Sequence, residues 1–421
     1  MNAIYWLRND LRLHDNHTFW KACDEAEEVL PVYIFNPQHN KIGSFRTAFL
    51  QESILEMRAQ LQDKGKDLYI AWGNMGEIFT YLQAELNTNR IYTSYEYAHN
   101  EKQEVIRLMN QGFEVFLVEN HTLTSKSLLP FSINQLPDVF TEFRKQVESK
   151  NTFLSMAKEI DLSACSSYER IANLKYNYTL PTIQAKRDAR SAMSFTGGEQ
   201  EGLKRLYYYL YESHAIKNYK QTRNELIGAD YSTKFSPWLS AGCLSPRKIY
   251  LEIKAYEEKY GGNESTYWVI FELLWRDYFK YVADRFGKLF FHKRGLHPNL
   301  HDTSVSAHGD KTIFENWKQG QTGNDFVNAN MIELLNTGFM SNRGRQNVAS
   351  FLVHDLKIDW RYGAAWFEEM LIDYDVCSNW GNWLYLAGVG NDPRKNRYFN
   401  TVQQADRYDA NGAYRKRWLR K

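Results

Sequence analysis

The chain has 421 residues, of which 43% are hydrophobic and 24% charged, and a net charge of +2. This ordinary globular balance excludes a wholly disordered chain and allows two or three domains with ample apolar core. No apolar run approaches the ~18 residues of a membrane span, and MNAIYWLRNDLRLHDN is too polar for a signal peptide, so a soluble, cytoplasmic, membrane-independent protein is expected.

In chain order, residues 2–7, 29–35, 67–72, 90–93 and 114–118 are short apolar runs that read as buried strands. Amphipathic stretches such as 45–63 and 100–110 lie between them. This alternation predicts a Rossmann-like α/β domain over 1–130, with a parallel sheet. No GxGxxG follows the first run, so any nucleotide is held in another way. Residues 120–197 are mixed and polar, with Pro130, Pro137 and Pro181, and read as a connector wrapping the surface. The segment between the two domains proper is 131–197, and Gly197-Gly198 closes it. From there to residue 421 the pattern is helical nearly throughout, including 207–211, 249–260, 266–286, 327–336, 342–356 and 363–373. The expectation is an all-α second domain over 198–421.

Four cysteines are far apart and eleven histidines show no HExxH spacing, so reduced thiols and no metal site are expected. Nine of the twelve Trp lie after residue 200, which places the unusual chemistry or the unusual core there. Residues 394–421 carry nine Lys/Arg and two Asp, a stripe that either contacts phosphates or is a solvated helix end.

Four stretches carry candidate chemistry. In TYWVIFELLWRDYF (266–279), Trp268, Glu272 and Trp275 share a helix face, and Glu272 is also spaced to pair with Arg276. An acid between two indoles is either such a pair or the wall of a pocket for a flat ligand. In SNRGRQNVASFLVHD (341–355), Asn342, Arg345 and Gln346 offer directed donors on one face. In LIDYDVCSNWGNWLY (371–385), Asp373 and Asp375 are an acid/base pair, or else caps or arginine partners. In YKQTRNELIGADYSTKFSP (219–237), Tyr219, Ser232, Thr233, Lys234 and Ser236 form a hydroxyl loop suited to phosphate. Together they point to a helical pocket for a flat, phosphate-bearing, redox-capable cofactor.

These stretches in this order resemble the photolyase/cryptochrome flavoproteins over essentially the whole chain, most closely the cryptochrome DASH group. The resemblance is carried by DYSTKFSPWLSAGCLSPR (230–247), FMSNRGRQNVASFL (339–352), DYDVCSNWGNW (373–383) and GVGNDPRKNRYFN (388–400). It implies that FAD is bound by Tyr219, by Ser232, Thr233, Lys234, Phe235 and Ser236, and by Trp268, Asn342, Arg345, Asp373, Asp375 and Asn379. Asn379 matches the position facing flavin N5. Glu272 matches the carboxylate that hydrogen-bonds a flipped pyrimidine dimer, and Trp275 its stacking wall. Gln346 and Tyr385 stand where double-strand photolyases usually have Met and Trp. Arg276, Arg343 and Arg394, with Glu272, Gln346 and Tyr385, are the implied DNA contacts. Trp383 and Trp360 match the proximal and middle electron-transfer tryptophans, with Trp317 the candidate for the distal one. Asn100 and Glu101 match a pair that holds a methenyltetrahydrofolate antenna, and Lys293 is placed near the same crevice.

The implied activity is blue-light repair of cyclobutane pyrimidine dimers, chiefly in single-stranded DNA, by a monomeric lyase using reduced FAD. The alternative is a blue-light photoreceptor or DNA-binding regulator with little repair. The sequence ends at Lys421, where signalling members of the family often carry an extension, and this favours the enzyme.

Overall fold

The computed structural model describes residues 1–36, 42–150, 153–181, 188–297, 310–391 and 397–420. The five apolar runs form strands β1 (Asn2–Leu7), β2 (Glu28–Phe35), β3 (Tyr69–Trp72), β4 (Arg90–Ser94) and β5 (Glu114–Val118). They build one parallel sheet in the order β3-β2-β1-β4-β5, with Ile4 beside Leu30 and Ile91. Parallel strands need crossovers, and the helices His17–Glu25, Ser44–Gln62, Met75–Leu86 and His99–Asn110 supply them. Asn16 and Asn74 cap the first and third of these through their side-chain oxygens.

Strand alternation divides the core between the two faces of the sheet. Ile4 and Trp6 pack with Ile78, Phe79 and Leu82 in a cluster local to this domain. Tyr5 and Leu7 belong to a second cluster that continues into Trp238, Leu273 and Trp383 of the helical domain. The sheet's second face is therefore part of the interdomain core.

A buried polar clasp reinforces that seam. The Arg247 guanidinium donates to Asp15 at 2.9 Å and to the Thr122 carbonyl at 3.0 Å, while Arg12 donates to the Gly242 carbonyl at 2.8 Å. Burial alone would raise the Asp15 carboxyl, but Arg247 and Arg12 outweigh it and hold it low. Gly242 has φ +76°, and a Cβ there would meet the Asn9 carbonyl at 1.8 Å, so the two domains approach backbone to backbone.

The connector departs from the expected surface wrap. Leu123 and Thr124 are fully buried, and Asp277 of the long helix accepts the Leu123 N–H at 2.8 Å. The helix Phe140–Lys150 turns Phe140, Phe143 and Val147 into the core. Residues 165 and 177 bridge to β2 and β3. The polar composition is compatible with burial because these backbone groups find partners.

The second domain is helical, from Glu199–Tyr207 to Ala413–Leu419. Its axis is the helix Glu264–Phe286, started by a capping box in which Asn263 and Thr266 reciprocate. The expected single helix over 342–356 is an α-helix, Asn342–Ser350, continued by a π-turn, Phe351–Asp355. Among the described residues no helix is long and apolar enough to cross a membrane, and no group of three or more His, Cys, Asp or Glu is placed to hold a metal. The four cysteines are free thiols, with Cys23 and Cys165 Sγ atoms 3.8 Å apart.

Candidate functional site

One cavity lies within the helical domain, between the loop 232–236, the helices Glu264–Phe286, Asn342–Ser350 and Val376–Leu386, and the segment 371–375. One wall is the hydroxyl loop. Arg205, almost wholly buried, donates to the carbonyls of Ala229, Ser232 and Thr233 at 3.0–3.1 Å and pairs with Asp230 at 2.9 Å. This fork fixes the loop that presents Ser232, Thr233, Lys234, Phe235 and Ser236 to the cavity, with Tyr219 beside them.

Lys234 has φ +55°, an uncommon conformation for a side-chain-bearing residue, and is 3% exposed. Its ammonium sits 3.2 Å from the Tyr231 ring centroid and 3.5 Å from Ser232 Oγ. No carboxylate lies within ion-pairing distance of it among the described residues. Burial, with Arg205 nearby, pushes the ammonium well below its ordinary range. A buried amine lined up without a counter-charge is matched by an anionic phosphate.

The opposite wall holds two balanced ion pairs. Arg345 Nη2 meets both Asp373 oxygens at 2.8 and 2.9 Å, and its Nε donates to the Met340 carbonyl. Lys280 donates to Asp375 at 2.9 Å, while Asp375 also caps the helix Val376–Leu386 through Ser378 N–H. Burial would raise Asp375, but Lys280 and Arg276 hold it well below the usual carboxylate range. The two aspartates are thus engaged as an arginine partner and as a lysine-paired helix cap, the second of the two readings open to them, rather than as an acid/base couple. Asn379 donates its amide N–H to the Ala364 carbonyl at 3.0 Å, which leaves its side-chain oxygen as an acceptor. Asn342 lines the cavity from an exposed position.

At the mouth, Glu272 pairs with Arg223, not with Arg276 one turn away. Burial raises the Glu272 carboxyl against the pull of Arg223. Arg276 donates instead to the carbonyls of His121 and Leu239 and lines the cavity, so it is part of the wall and not an outer DNA contact. Trp268 does not line the cavity. It stacks on Phe271 at 4.7 Å and carries Lys220 and Arg223 over its face. Trp275 stacks on Phe140 at 3.8 Å and meets the Tyr385 edge at 5.7 Å. Tyr385 in turn lies under Arg397, 4.2 Å from its guanidinium. Gln346 lines the cavity, and its Oε1 is buried without a partner. Arg343 donates to Asn224 at 2.8 Å and covers Tyr408. Arg394 lies outside the described residues.

Trp383 is buried in the cavity wall, against Phe367 at 5.2 Å. Trp360 donates to the Lys293 carbonyl at 3.1 Å and meets Trp380 edge-on at 5.7 Å. Trp317 is fully buried, bonds the Val348 carbonyl and touches Trp383 itself at 6.5 Å. It neighbours the proximal position and is not an outer end of the series. The C-terminal helix is docked by its aromatic residues, while Arg407, Lys416, Arg417 and Arg420 of the basic stripe are exposed. Tyr414 and Trp418 are buried, Arg415 pairs with Asp409, and Arg417 bonds the Arg190 carbonyl.

A second crevice opens between the domains, lined by Asn100, Glu101, Tyr33, Arg46, Tyr374 and Trp380 among others. Glu101 Oε2 and Arg46 Nη1 are buried there without hydrogen-bond partners. Burial, and then Glu96, push the Glu101 carboxyl up to about 8. Asn100 is exposed on the rim, and Lys293 is not in the lining.

Sequence reasoning missed Arg205, Arg223, Lys280, Phe140, Arg46 and Arg397. Only Lys280 carried a signal, as a lone lysine inside the apolar run YFKYVA (278–283).

Comparison with known proteins decides the family. Residues 3–161 match the model of the DNA photolyase family, and residues 268–421 match that of the FAD binding domain of DNA photolyase. Cryptochrome DASH of Danio rerio is 46% identical over 99% of this chain and 82% of its own length. This chain belongs to the photolyase/cryptochrome family. Cryptochrome DASH of Synechocystis is 44% identical over 99% of the chain and 87% of its own length. The crystal structure of a Synechocystis cryptochrome matches with a TM-score of 0.90 at 43% identity, covering 99% of this chain and 88% of that one. An archaeal photolyase from Sulfolobus tokodaii, solved with two FAD molecules, matches at 27% identity and a TM-score of 0.76, covering 100% and 90%. The helical domain is accordingly a photolyase-type FAD-binding domain, and the protein is a flavoprotein of cryptochrome DASH character.

Proposed function

We propose that this flavoprotein splits cyclobutane pyrimidine dimers under blue light, chiefly in single-stranded DNA. The observation that carries the reading is Glu272. It is a half-buried carboxyl lining the FAD cavity, held by Arg223, which follows the short helix Tyr219–Thr222. Reduced FAD, when bound, would lend the dimer an electron under light and regain it once the ring has opened, so the reaction has no net redox change.

The chain's own residues do the rest. Lys234 and the hydroxyl loop would hold the phosphates of FAD, and Arg345–Asp373 and Lys280–Asp375 would fix the walls around it. Asn379, anchored through its N–H, keeps an acceptor for the N–H that a flavin ring carries once reduced. Glu272, its carboxyl raised by burial, is suited to hydrogen-bond the edge of a flipped dimer as charge develops on it. Trp383 in the wall, with Trp360, would pass electrons inward. Arg343 and the basic residues near the C-terminus would contact backbone phosphate.

The preference for single strands is supported by the surroundings of Glu272 and Gln346, where Trp275 and Tyr385 lie outside the cavity lining. The Trp275 face is taken by Phe140, and Tyr385 is engaged by Arg397 and Trp275. Gln346 adds an amide where an apolar grip would help. Little stacking is left to offset unstacking, which costs a few kcal/mol in a duplex and least in a single strand. The same two residues, Gln346 and Tyr385, support a second reading as a photoreceptor or DNA-binding regulator.

The crevice at Glu101 is the site for an antenna, and methenyltetrahydrofolate fits its chemistry. The flat walls of Tyr374 and Trp380 suit a heteroaromatic ring, and the orphaned Glu101 Oε2 and Arg46 Nη1 suit its polar edges.

The test is Glu272→Gln and Glu272→Ala in photoreduced protein. Dimer loss per absorbed photon should fall roughly tenfold or more while flavin absorbance is retained. Unchanged yield in both variants would remove Glu272 from the reaction and the main support for repair.

A further inference from the structure

Behind the hydroxyl loop lies a buried acid that the proposed chemistry does not use. Glu333, on the helix Asp325–Thr337, is 2% exposed. Tyr414 Oη, from the C-terminal helix Ala413–Leu419, lies 2.5 Å from Glu333 Oε2 and 3.1 Å from Asn330 Oδ1. The Asn330 amide is oriented by its own bond to the Phe326 carbonyl at 2.7 Å, so its oxygen faces the phenol as an acceptor. A phenol has one proton and cannot serve two acceptors fully. Every group is satisfied if Glu333 is protonated, donating to Tyr414 Oη, which then donates to Asn330.

We infer that Glu333, held by Tyr414, is a neutral acid positioned behind the phosphate subsite, and that its ionisation loosens the grip of the cavity on FAD. The inference rests on the reading of Lys234 as a phosphate contact.

The packing ties this acid to both walls of the cavity. A Cβ at Gly344 would sit 2.0 Å from Asn330 Oδ1, so the helix Asn342–Ser350, which carries Arg345, lies directly on the same amide. The groups acting on Glu333 are Lys234 from the loop, Arg345 from that helix, and Tyr414 and Arg417 from the C-terminal helix. Tyr231, whose ring carries the Lys234 ammonium, also feels Glu333, and its hydroxyl is buried without a partner. Asp409 acts on the Tyr414 phenol. Burial pushes the Glu333 carboxyl up to about 7, outweighing the Tyr414 bond and the three cations. Once ionised, it places a negative charge beside the cations that face the anionic ligand. Glu333 is a positioning residue, acting through Lys234 and Arg345 and not through contact with the reacting atoms.

The experiment follows FAD dissociation from the full-length holoprotein, read as the rise of free-flavin fluorescence, across about pH 6 to 8.5. Wild type, Glu333→Gln and Lys234→Met are compared, with thermal melts confirming that each is folded. The wild-type dissociation constant should rise about tenfold with a midpoint near neutrality, the scale of one unit of differential charge interaction. Glu333→Gln, neutral at every pH and still able to donate to Tyr414, should lack that step. Glu333 also acts on the Lys234 amine, so a step that persists in Lys234→Met, which has no amine to titrate, assigns that step to Glu333. Lys234→Met should be weakened at every pH. Equal profiles in wild type and Glu333→Gln, with Lys234→Met weakened, would overturn the role of Glu333 alone. Tight, unaltered binding by Lys234→Met would overturn the phosphate reading and this inference with it.

Discussion

The two cavities of this protein differ in how their charges are balanced. In the FAD cavity the strong charges are mostly paired within the chain, as Arg345–Asp373, Lys280–Asp375 and Arg223–Glu272. Lys234 is the exception, and it faces the place proposed for the phosphates. The interdomain crevice instead keeps Glu101 Oε2 and Arg46 Nη1 buried and unpartnered. A site whose partners come from its own chain is preorganised before the cofactor arrives. One that leaves polar atoms orphaned relies on its ligand or on a shifted protonation state. This contrast supports the proposal that the first cavity serves the flavin chemistry and the second an accessory group.

The largest test of that contrast is Lys280, buried between the two regions and acted on by both Asp375 and Glu96. Lys280→Met should destabilise the fold by about 3–5 kcal/mol in denaturant titrations, because Asp375 is left uncompensated. A loss near zero would show that Asp375 is not held as an anion. Next is Arg345→Ala, expected to weaken FAD binding by about ten- to a hundredfold, since two charge-assisted bonds to Asp373 are lost from the wall. The same change should leave ligand binding in the crevice intact, and loss of both would mean the sites are not separable.

Glu101→Gln gives a smaller, pH-dependent effect. With its carboxyl at about 8 in the fold and near 4.5 when unfolded, native Glu101 holds a proton that the unfolded chain releases. The native state binds more protons in that window, so wild-type stability falls as pH rises toward 8. The variant has no such proton to lose. Melts at about pH 9 should therefore favour Glu101→Gln over wild type relative to melts at about pH 5. Smallest is Gln346→Met, which restores apolar grip at the mouth. It should tighten binding of duplex dimers by about fivefold, the value of roughly 1 kcal/mol of added apolar burial.

Particular residues show what was legible in the sequence. The strands were readable because both faces of a parallel sheet are buried, so runs such as AIYWL (3–7) are continuously apolar. The cavity loop and the segment 371–375 were readable because polar side chains in dense clusters have few structural explanations. Ion-pair partners were not. Spacing offered Arg276 to Glu272, but Arg223, far along the chain, reaches it, and Arg276 is spent on the connector's carbonyls. The aspartates read equally as an acid/base couple or as caps and arginine partners, and the sequence does not decide because their cations, Arg345 and Lys280, sit on other helices. Position makes Trp317 a candidate for the distal tryptophan and no more, and packing sets it against Trp383. The helix Phe140–Lys150 was hidden by the prolines and polar residues around it, and it supplies the ring that covers Trp275.

The most direct test of the account gives the photoreduced protein the same dimer-containing oligonucleotide in single-stranded and duplex form, and follows blue-light-dependent dimer loss in both. The account predicts repair of the single strand with little or none of the duplex, because the mouth leaves few free stacking surfaces to offset unstacking. Equal repair of both would contradict the reading of Trp275, Gln346 and Tyr385, and no repair of either, with FAD bound and reduced, would contradict the lyase itself and favour the photoreceptor.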